Sequence, residues 1–169
     1  MKYSLAQRVM HWLMALAIIS LLVVGNVMED LSGDLRYQVY GLHKSFGVLV
    51  LILLAWRLAF RVYYGVPVLP QKIPTIEKMA AAVGHKLLYI LMLLMPLSGY
   101  VMSNAKGHDV ALFGLELPRL VAENKILGAF AAEAHEVLAW ALVAVIVGHS
   151  LALVWHYQKQ QLNLLRRMW

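Results

Sequence analysis

Four long apolar stretches dominate the chain, and most of its charged residues collect between or beyond them. A hydrocarbon core ~30 Å thick is crossed by about twenty residues of helix. Windows of that kind cover residues 9–27, 41–62, 84–102 and 136–157. They predict an all-α membrane protein, a four-helix up-down-up-down bundle in which residues 1–169 form a single domain. The first stretch is expected to stay as a span rather than to be a cleaved leader. No small-x-small pattern follows Val24, and His11 and Trp12 sit inside its apolar run.

The joints are short. "VPVLPQKIP" reads as a proline-punctuated link between the second and third spans. Residues 103–133 read as a longer loop at the opposite end, with "FGLELP" as an interfacial segment. Pro96 falls inside the third span, where a membrane helix tolerates it and a kink is expected.

Composition agrees with this pattern. With 62% hydrophobic and 14% charged residues among 169, and a mean hydropathy of +0.68, the chain has too little polar surface for a soluble domain of its size.

Charge then orients the bundle. Lys2, Arg8, Arg57, Arg61, Lys72, Lys78, Lys86, Lys159, Arg166 and Arg167 lie at one end. The other end is acidic on balance, with Glu29, Asp30, Asp34, Asp109, Glu116, Glu123 and Glu133 against Arg36, Lys106, Arg119 and Lys125. The positive-inside bias puts both termini in the cytoplasm. The net charge of +6 is therefore read as a topology signal and as attraction to anionic lipid headgroups, with no nucleic-acid role.

There is no cysteine. That excludes covalent c-type haem attachment, thiolate iron–sulfur clusters, disulfides and thiol catalysis. Redox chemistry in this chain has to use histidine ligation or a diffusing organic cofactor.

The apolar stretches carry histidines at a repeated interval. Fourteen residues return a helix to nearly the same face about 21 Å further along its axis. His135 and His149 have that spacing, and so do His11 with Gly25, His43 with Arg57, and His85 with Gly99. In an antiparallel bundle these residues stack in two layers. The outer layer holds His43, His135, Gly25 and Gly99; the inner layer holds His11, His85, His149 and Arg57.

Facing imidazoles in a bundle core are the axial ligands of low-spin b-type haem, and glycine lets a flat macrocycle approach the backbone. Gly47, Gly84 and Gly148 suit the same purpose. Two stacked haems fit the two layers. The inner layer offers three candidates, His11, His85 and His149, for two axial positions.

Other readings compete with this one. A histidine in a membrane helix is often a hydrogen-bonding residue between helices, or part of a proton relay, and fourteen residues are also two heptads. Five imidazoles in short spans are costly unless they have a function. A zinc or copper transporter lacks supporting carboxylates or thiolates in either layer. Arg57 sits on the core stripe, where its guanidinium would pair with a haem propionate; the alternative is snorkelling to headgroups, as expected of Arg61. Arg8 and Lys44 are weaker propionate candidates.

The segments "YSLAQRVMHWL", "GLHKSFGVLVLILLAWRL", "VGHKLLYILMLLMPLSGYVM", "FGLELP" and "HEVLAWALVAVIVGHSLALVWHY" together make the chain resemble the bacterial cytochrome b561 family over essentially its whole length. The resemblance implies two haem b groups, a multi-pass position in the bacterial inner membrane, electron transfer and ubiquinone as partner. One branch of the family couples superoxide oxidation to ubiquinone reduction. By resemblance, His11 pairs with His149 on the inner haem and His43 with His135 on the outer haem, which leaves His85 as a hydrogen-bonding or packing neighbour. Lys72 and His156, one heptad beyond His149, match positions implicated in quinone binding.

The expected function is thus an oxidoreductase that carries single electrons from an outer donor, superoxide, to ubiquinone. The rivals are an electron-relay subunit docked to a redox partner protein, a separate dehydrogenase or reductase, and a haem-free metal transporter.

Overall fold

The structure, a computed structural model, describes residues 2–169. Among them four long helices run antiparallel: α1 Leu5–Val27, α2 Gly33–Tyr64, α3 Thr75–Ala105 and α4 Lys125–Gln160. All four are long and apolar enough to cross a membrane. Each neighbouring pair in the chain order packs side by side, so the up-down-up-down bundle is the observed architecture.

Local chemistry sets the helix ends. Ser4 and Gln7 form a capping box at the start of α1, with the Gln7 N–H donating to Ser4 Oγ at 3.3 Å and the Ser4 N–H to Gln7 Oε1 at 3.2 Å. Gly65, at φ +68° and ψ −171°, takes an extended positive-φ conformation open to glycine, and α2 ends there. Asn124 caps α4 by accepting the Leu127 N–H at 3.0 Å.

The helices extend well past the apolar windows. α2 begins at Gly33 and α4 at Lys125, whereas the apolar windows begin at 41 and 136. Hydropathy reports where lipid begins; backbone hydrogen bonding continues into water wherever no breaker stops it. The loop expected over 103–133 is accordingly shorter, because α3 ends at Ala105 and α4 takes the last part. α3 runs through Pro96 as one continuous helix.

"FGLELP" forms part of a hairpin, β1 Ala111–Leu112 paired with β2 Leu115–Glu116. Phe113 and Gly114, at φ +50° and +94°, make its two-residue turn, the double left-handed geometry that matches strand twist. Ser45 Oγ fastens the hairpin to α2, donating to the Ala111 carbonyl at 2.8 Å and accepting from the Phe113 N–H at 3.1 Å.

Both termini and the α2–α3 link meet at the other end. The Tyr3 N–H donates to the Arg167 carbonyl at 3.1 Å, Trp12 Nε1 to the Met168 carbonyl at 2.8 Å, and Arg167 Nη2 to the Pro67 carbonyl at 2.6 Å.

The buried core lies midway between these ends. Met14, Ile18, Val50, Leu54, Leu91, Met92 and Leu142 form one cluster. Ile18, Val50, Met92 and Leu142 each sit one heptad from a histidine of their own helix, at His11, His43, His85 and His135. An apolar middle layer therefore separates the two polar layers. Many other large apolar side chains, such as Leu16, Val23, Val137 and Trp140, point outward to where lipid would lie.

Candidate functional site

The layer nearest the hairpin brings together His43 of α2 and His135 of α4, with ring centres 6.4 Å apart and planes at 74°. The small residues opposite them are required by space. A Cβ on Gly25 would lie 3.2 Å from His43 Cε1, and one on Gly99 2.9 Å from His135 Cε1. His135 Nδ1 lies 3.0 Å from the Met95 carbonyl oxygen, which can only accept. That bond puts the proton on Nδ1 and leaves the Nε2 lone pair free. His43 Nδ1 is buried with no hydrogen-bond partner among the described residues.

A cavity of about 680 Å³ adjoins this pair. Gly47, Val50, Met92 and Leu142 form its apolar wall, and Arg36, Lys44, Lys106 and His108 also line it. Lys44 Nζ is held there by Ser103 Oγ at 3.1 Å and by the Asp109 carbonyl at 2.9 Å. Arg119 secures the loop, donating to Asp109 at 2.6 Å and to Glu123 at 3.3 Å. Its hydrogen bond holds the Asp109 carboxyl below its ordinary range, and the same bond raises Arg119.

The second layer repeats the first spacing. His11 of α1 and His149 of α4 have ring centres 6.4 Å apart and planes at 66°. His85 of α3 is closer to His149, at 5.4 Å, and its Nδ1 donates to the Ala81 carbonyl at 2.6 Å. Arg57 turns inward: Nη2 lies 3.1 Å from His11 Nδ1, and Nε donates to the Tyr89 hydroxyl at 3.3 Å. A guanidinium only donates, so His11 Nδ1 accepts and the neutral ring carries its proton on Nε2. Arg61 stacks over the Tyr89 ring at 5.6 Å. Arg8 is engaged elsewhere, donating to the Trp169 carbonyl at 2.5 Å.

Haem can be tested against this geometry. An imidazole nitrogen bonds a transition metal at ~2 Å, and its ring centre lies ~1 Å behind it, so two imidazoles on opposite sides of one iron have centres ~6 Å apart. The His43–His135 and His11–His149 pairs meet that condition, and the unpartnered His43 nitrogen and the two glycine contacts fit as well. The His85–His149 pair, at 5.4 Å, departs further from it. A bare transition-metal site fits less well, because no group of three His, Cys, Asp or Glu among the described residues is placed to hold an ion.

At the terminal end Lys72 and His156 converge on one residue, Gln160. Lys72 Nζ donates to its backbone carbonyl at 2.8 Å, and His156 Nδ1 lies 3.0 Å from its Oε1. Gln160 Nε2 in turn donates to Glu77 Oε2 at 2.6 Å. The sequence reading missed Glu77 and Gln160. The four-residue step from His156 to Gln160 places them on one helix face, but nothing in the linear pattern joins that face to Glu77.

These features define a class: a four-helix membrane bundle with an imidazole pair near each end, suited to a metal macrocycle. The sequence profile of the prokaryotic cytochrome b561 family matches residues 2–169. The chain belongs to that family, whose members are membrane electron-transfer proteins that bind b-type haem. It is 31% identical to cytochrome b561 homolog 2 of Escherichia coli (strain K12) over 171 residues, covering 99% of this chain and 90% of the relative. It is 30% identical to the probable superoxide oxidase CybB of Yersinia pestis over 172 residues, covering 99% and 95%. The chain is accordingly a multi-pass bacterial membrane protein and an oxidoreductase.

Proposed function

We propose that the chain holds two b-type haems, one in each histidine layer, and moves single electrons from superoxide at the hairpin end to ubiquinone at the terminal end. The reading rests above all on one observation: the same 6.4 Å imidazole spacing recurs at both ends of the bundle. When bound, haem iron supplies reversible one-electron chemistry at each layer. Over a full turnover two superoxide ions, one ubiquinone and two protons become two dioxygen molecules and ubiquinol. The excess of Lys and Arg at the terminal end supports a cytoplasmic position for that end and an outer position for the hairpin, across the bacterial inner membrane.

The side chains divide this work. His43 and His135 hold one haem, and His11 and His149 the other. His11 would hold the group with its proton on Nδ1, and Arg57, no longer donating to that nitrogen, would be free to pair with an anionic propionate. The middle layer of Ile18, Val50, Met92 and Leu142 keeps water from between the two sites. Arg36, Lys44 and Lys106, with His108 beside them, make a cationic surround that raises the local concentration of a small anion. The name of the Yersinia pestis relative supports superoxide as that anion. At the other end Lys72 offers donors to a quinone carbonyl, and His156 holds a proton for it.

One observation favours a variant of the inner site. His85 donates Nδ1–H to a backbone carbonyl, the usual arrangement of a ligating histidine. The spacing favours His11, and haem content of His11→Ala and His85→Ala decides between them.

The functional test uses the purified single chain, an enzymatic source of superoxide and a soluble ubiquinone analogue. The expected result is ubiquinol formation and superoxide loss in a one-to-two ratio, with no added protein. Transfer that occurs only after a dehydrogenase is added would replace this function with that of a relay subunit.

A further inference from the structure

Glu77 sits at the third position of α3, where a carboxylate commonly reaches back to the backbone N–H of the capping residue. The capping residue here is Pro74, which has no N–H. Glu77 points across to the last turn of α4 instead. Its Oε2 accepts from Gln160 Nε2 at 2.6 Å and lies 3.5 Å from His156 Nδ1.

These contacts have a fixed polarity. An ionised carboxylate only accepts, so Gln160 must present its NH₂ to Glu77 and therefore its carbonyl oxygen to His156. That oxygen, 3.0 Å from His156 Nδ1, only accepts, so the imidazole must carry a proton on Nδ1. Its Nε2 is then the nitrogen that takes up or releases a proton. Lys72 is tied to the same residue through the Gln160 carbonyl. The His156 side chain is 10% exposed and that of Glu77 27%, so the carboxylate is the wetter end of the chain of bonds.

We propose that Glu77, acting through the Gln160 amide, is a positioning residue for His156 in quinone reduction, locking the ring in the tautomer whose Nε2 serves the quinone. The inference rests on the quinone site proposed above. In the proton step, the Nε2–H bond of the charged ring breaks and an O–H bond forms on the reduced quinone. The ring is left neutral with Nδ1–H on Gln160, and water on the aqueous side restores the lost proton.

Glu77→Gln keeps the size of the side chain but replaces an acceptor-only group with an amide that donates as well, so the Gln160 amide is free to turn over. Stopped-flow reoxidation of the reduced protein by a soluble ubiquinone analogue is measured for wild type, Glu77→Gln, His156→Ala and the double variant, with visible spectra and thermal melting recorded for each. Glu77→Gln is expected to slow reoxidation about tenfold, or about 1.4 kcal/mol in the barrier. Spectra and melting temperature should stay unchanged. In the His156→Ala background the same substitution should have no further effect, because the two residues act as a unit.

A wild-type rate in Glu77→Gln overturns the inference. So does an equal slowing in both backgrounds, which would make Glu77 a helix-to-helix clamp. If His156→Ala itself reoxidises at the wild-type rate, the quinone site is wrong and this proposal fails with it.

Discussion

The two histidine pairs share one spacing but not one environment. Around His43 and His135 the helices are pared down to Gly25 and Gly99, a cavity opens, and one ring nitrogen lacks a partner. Around His11 and His149 the corresponding places are filled by Arg57 and His85, and His11 is already hydrogen-bonded. One layer is preformed for a bulky flat group, whereas the other must give up a bond before His11 can coordinate metal. The contrast matches the proposed division of labour: the open end meets a small diffusing anion, and the crowded end holds a cation beside the acceptor side.

The largest expected effect tests the acceptor side alone. Lys72→Ala and His156→Ala leave both imidazole pairs intact, so haem spectra should not change. Reoxidation by a ubiquinone analogue should slow by roughly ten- to a thousand-fold, equivalent to about 1.4–4 kcal/mol in the transition state. Wild-type rates in both would move the quinone to the hairpin end and remove the functional side of the comparison.

The next effect probes the glycine cradle. In Gly99→Ala the new Cβ would fall 2.9 Å from the His135 ring, which its bond to the Met95 carbonyl keeps in place. Overpacking of this kind costs about 1–3 kcal/mol. Gly99→Ala should therefore lower the melting temperature and the occupancy of the haem at that layer only. Gly84 has open space where its Cβ would go and lies beside His85 in the other layer, so Gly84→Ala is the control that should leave the occupancy of the hairpin-end haem unchanged.

A smaller effect separates the layers electrically. Arg57→Leu removes a positive charge beside His11. The midpoint potential of the haem in that layer should fall by on the order of 60 mV, a tenfold change for a one-electron couple. Potentiometric titration should show the hairpin-end haem little changed, because the middle apolar layer lies between.

The smallest effect concerns the loop that covers the cavity. Asp109 is held below its ordinary carboxylate range by Arg119, so it binds fewer protons folded than unfolded. Its contribution is present above the unfolded carboxylate value and is lost as pH falls through and below that range. Hydrogen-exchange protection of residues 106–124, corrected for the intrinsic slowing of exchange in acid, should fall on acidification in wild type and be less sensitive in Arg119→Ala.

Much of this was legible along the chain. The fourteen-residue interval in a straight helix is enough to assemble each layer, and it brought Gly25 to His43, Gly99 to His135 and Arg57 to His11. Helix ends were less legible, because "DLRYQVY" and "KILGAFAAEAH" are too polar or too mixed to read as lipid-spanning yet contain nothing that stops a helix. Lys72 and His156 were named, but their meeting at Gln160 was not. Contacts between the start of one helix and the end of another have no period in sequence, and the decisive fact about Glu77, that its capping partner is a proline, gains meaning only once α4 is beside it.

The account stands on one haem in each layer, held between helices. Pyridine haemochrome quantification against protein, on the purified wild type and on His43→Ala, His135→Ala, His11→Ala, His149→Ala and His85→Ala, measures that directly. The expected result is two haems per chain in wild type and in His85→Ala, and one in each of the other four variants. A single haem per chain in wild type would contradict the two-layer account. Two haems in His11→Ala with one in His85→Ala would move the inner ligand to α3.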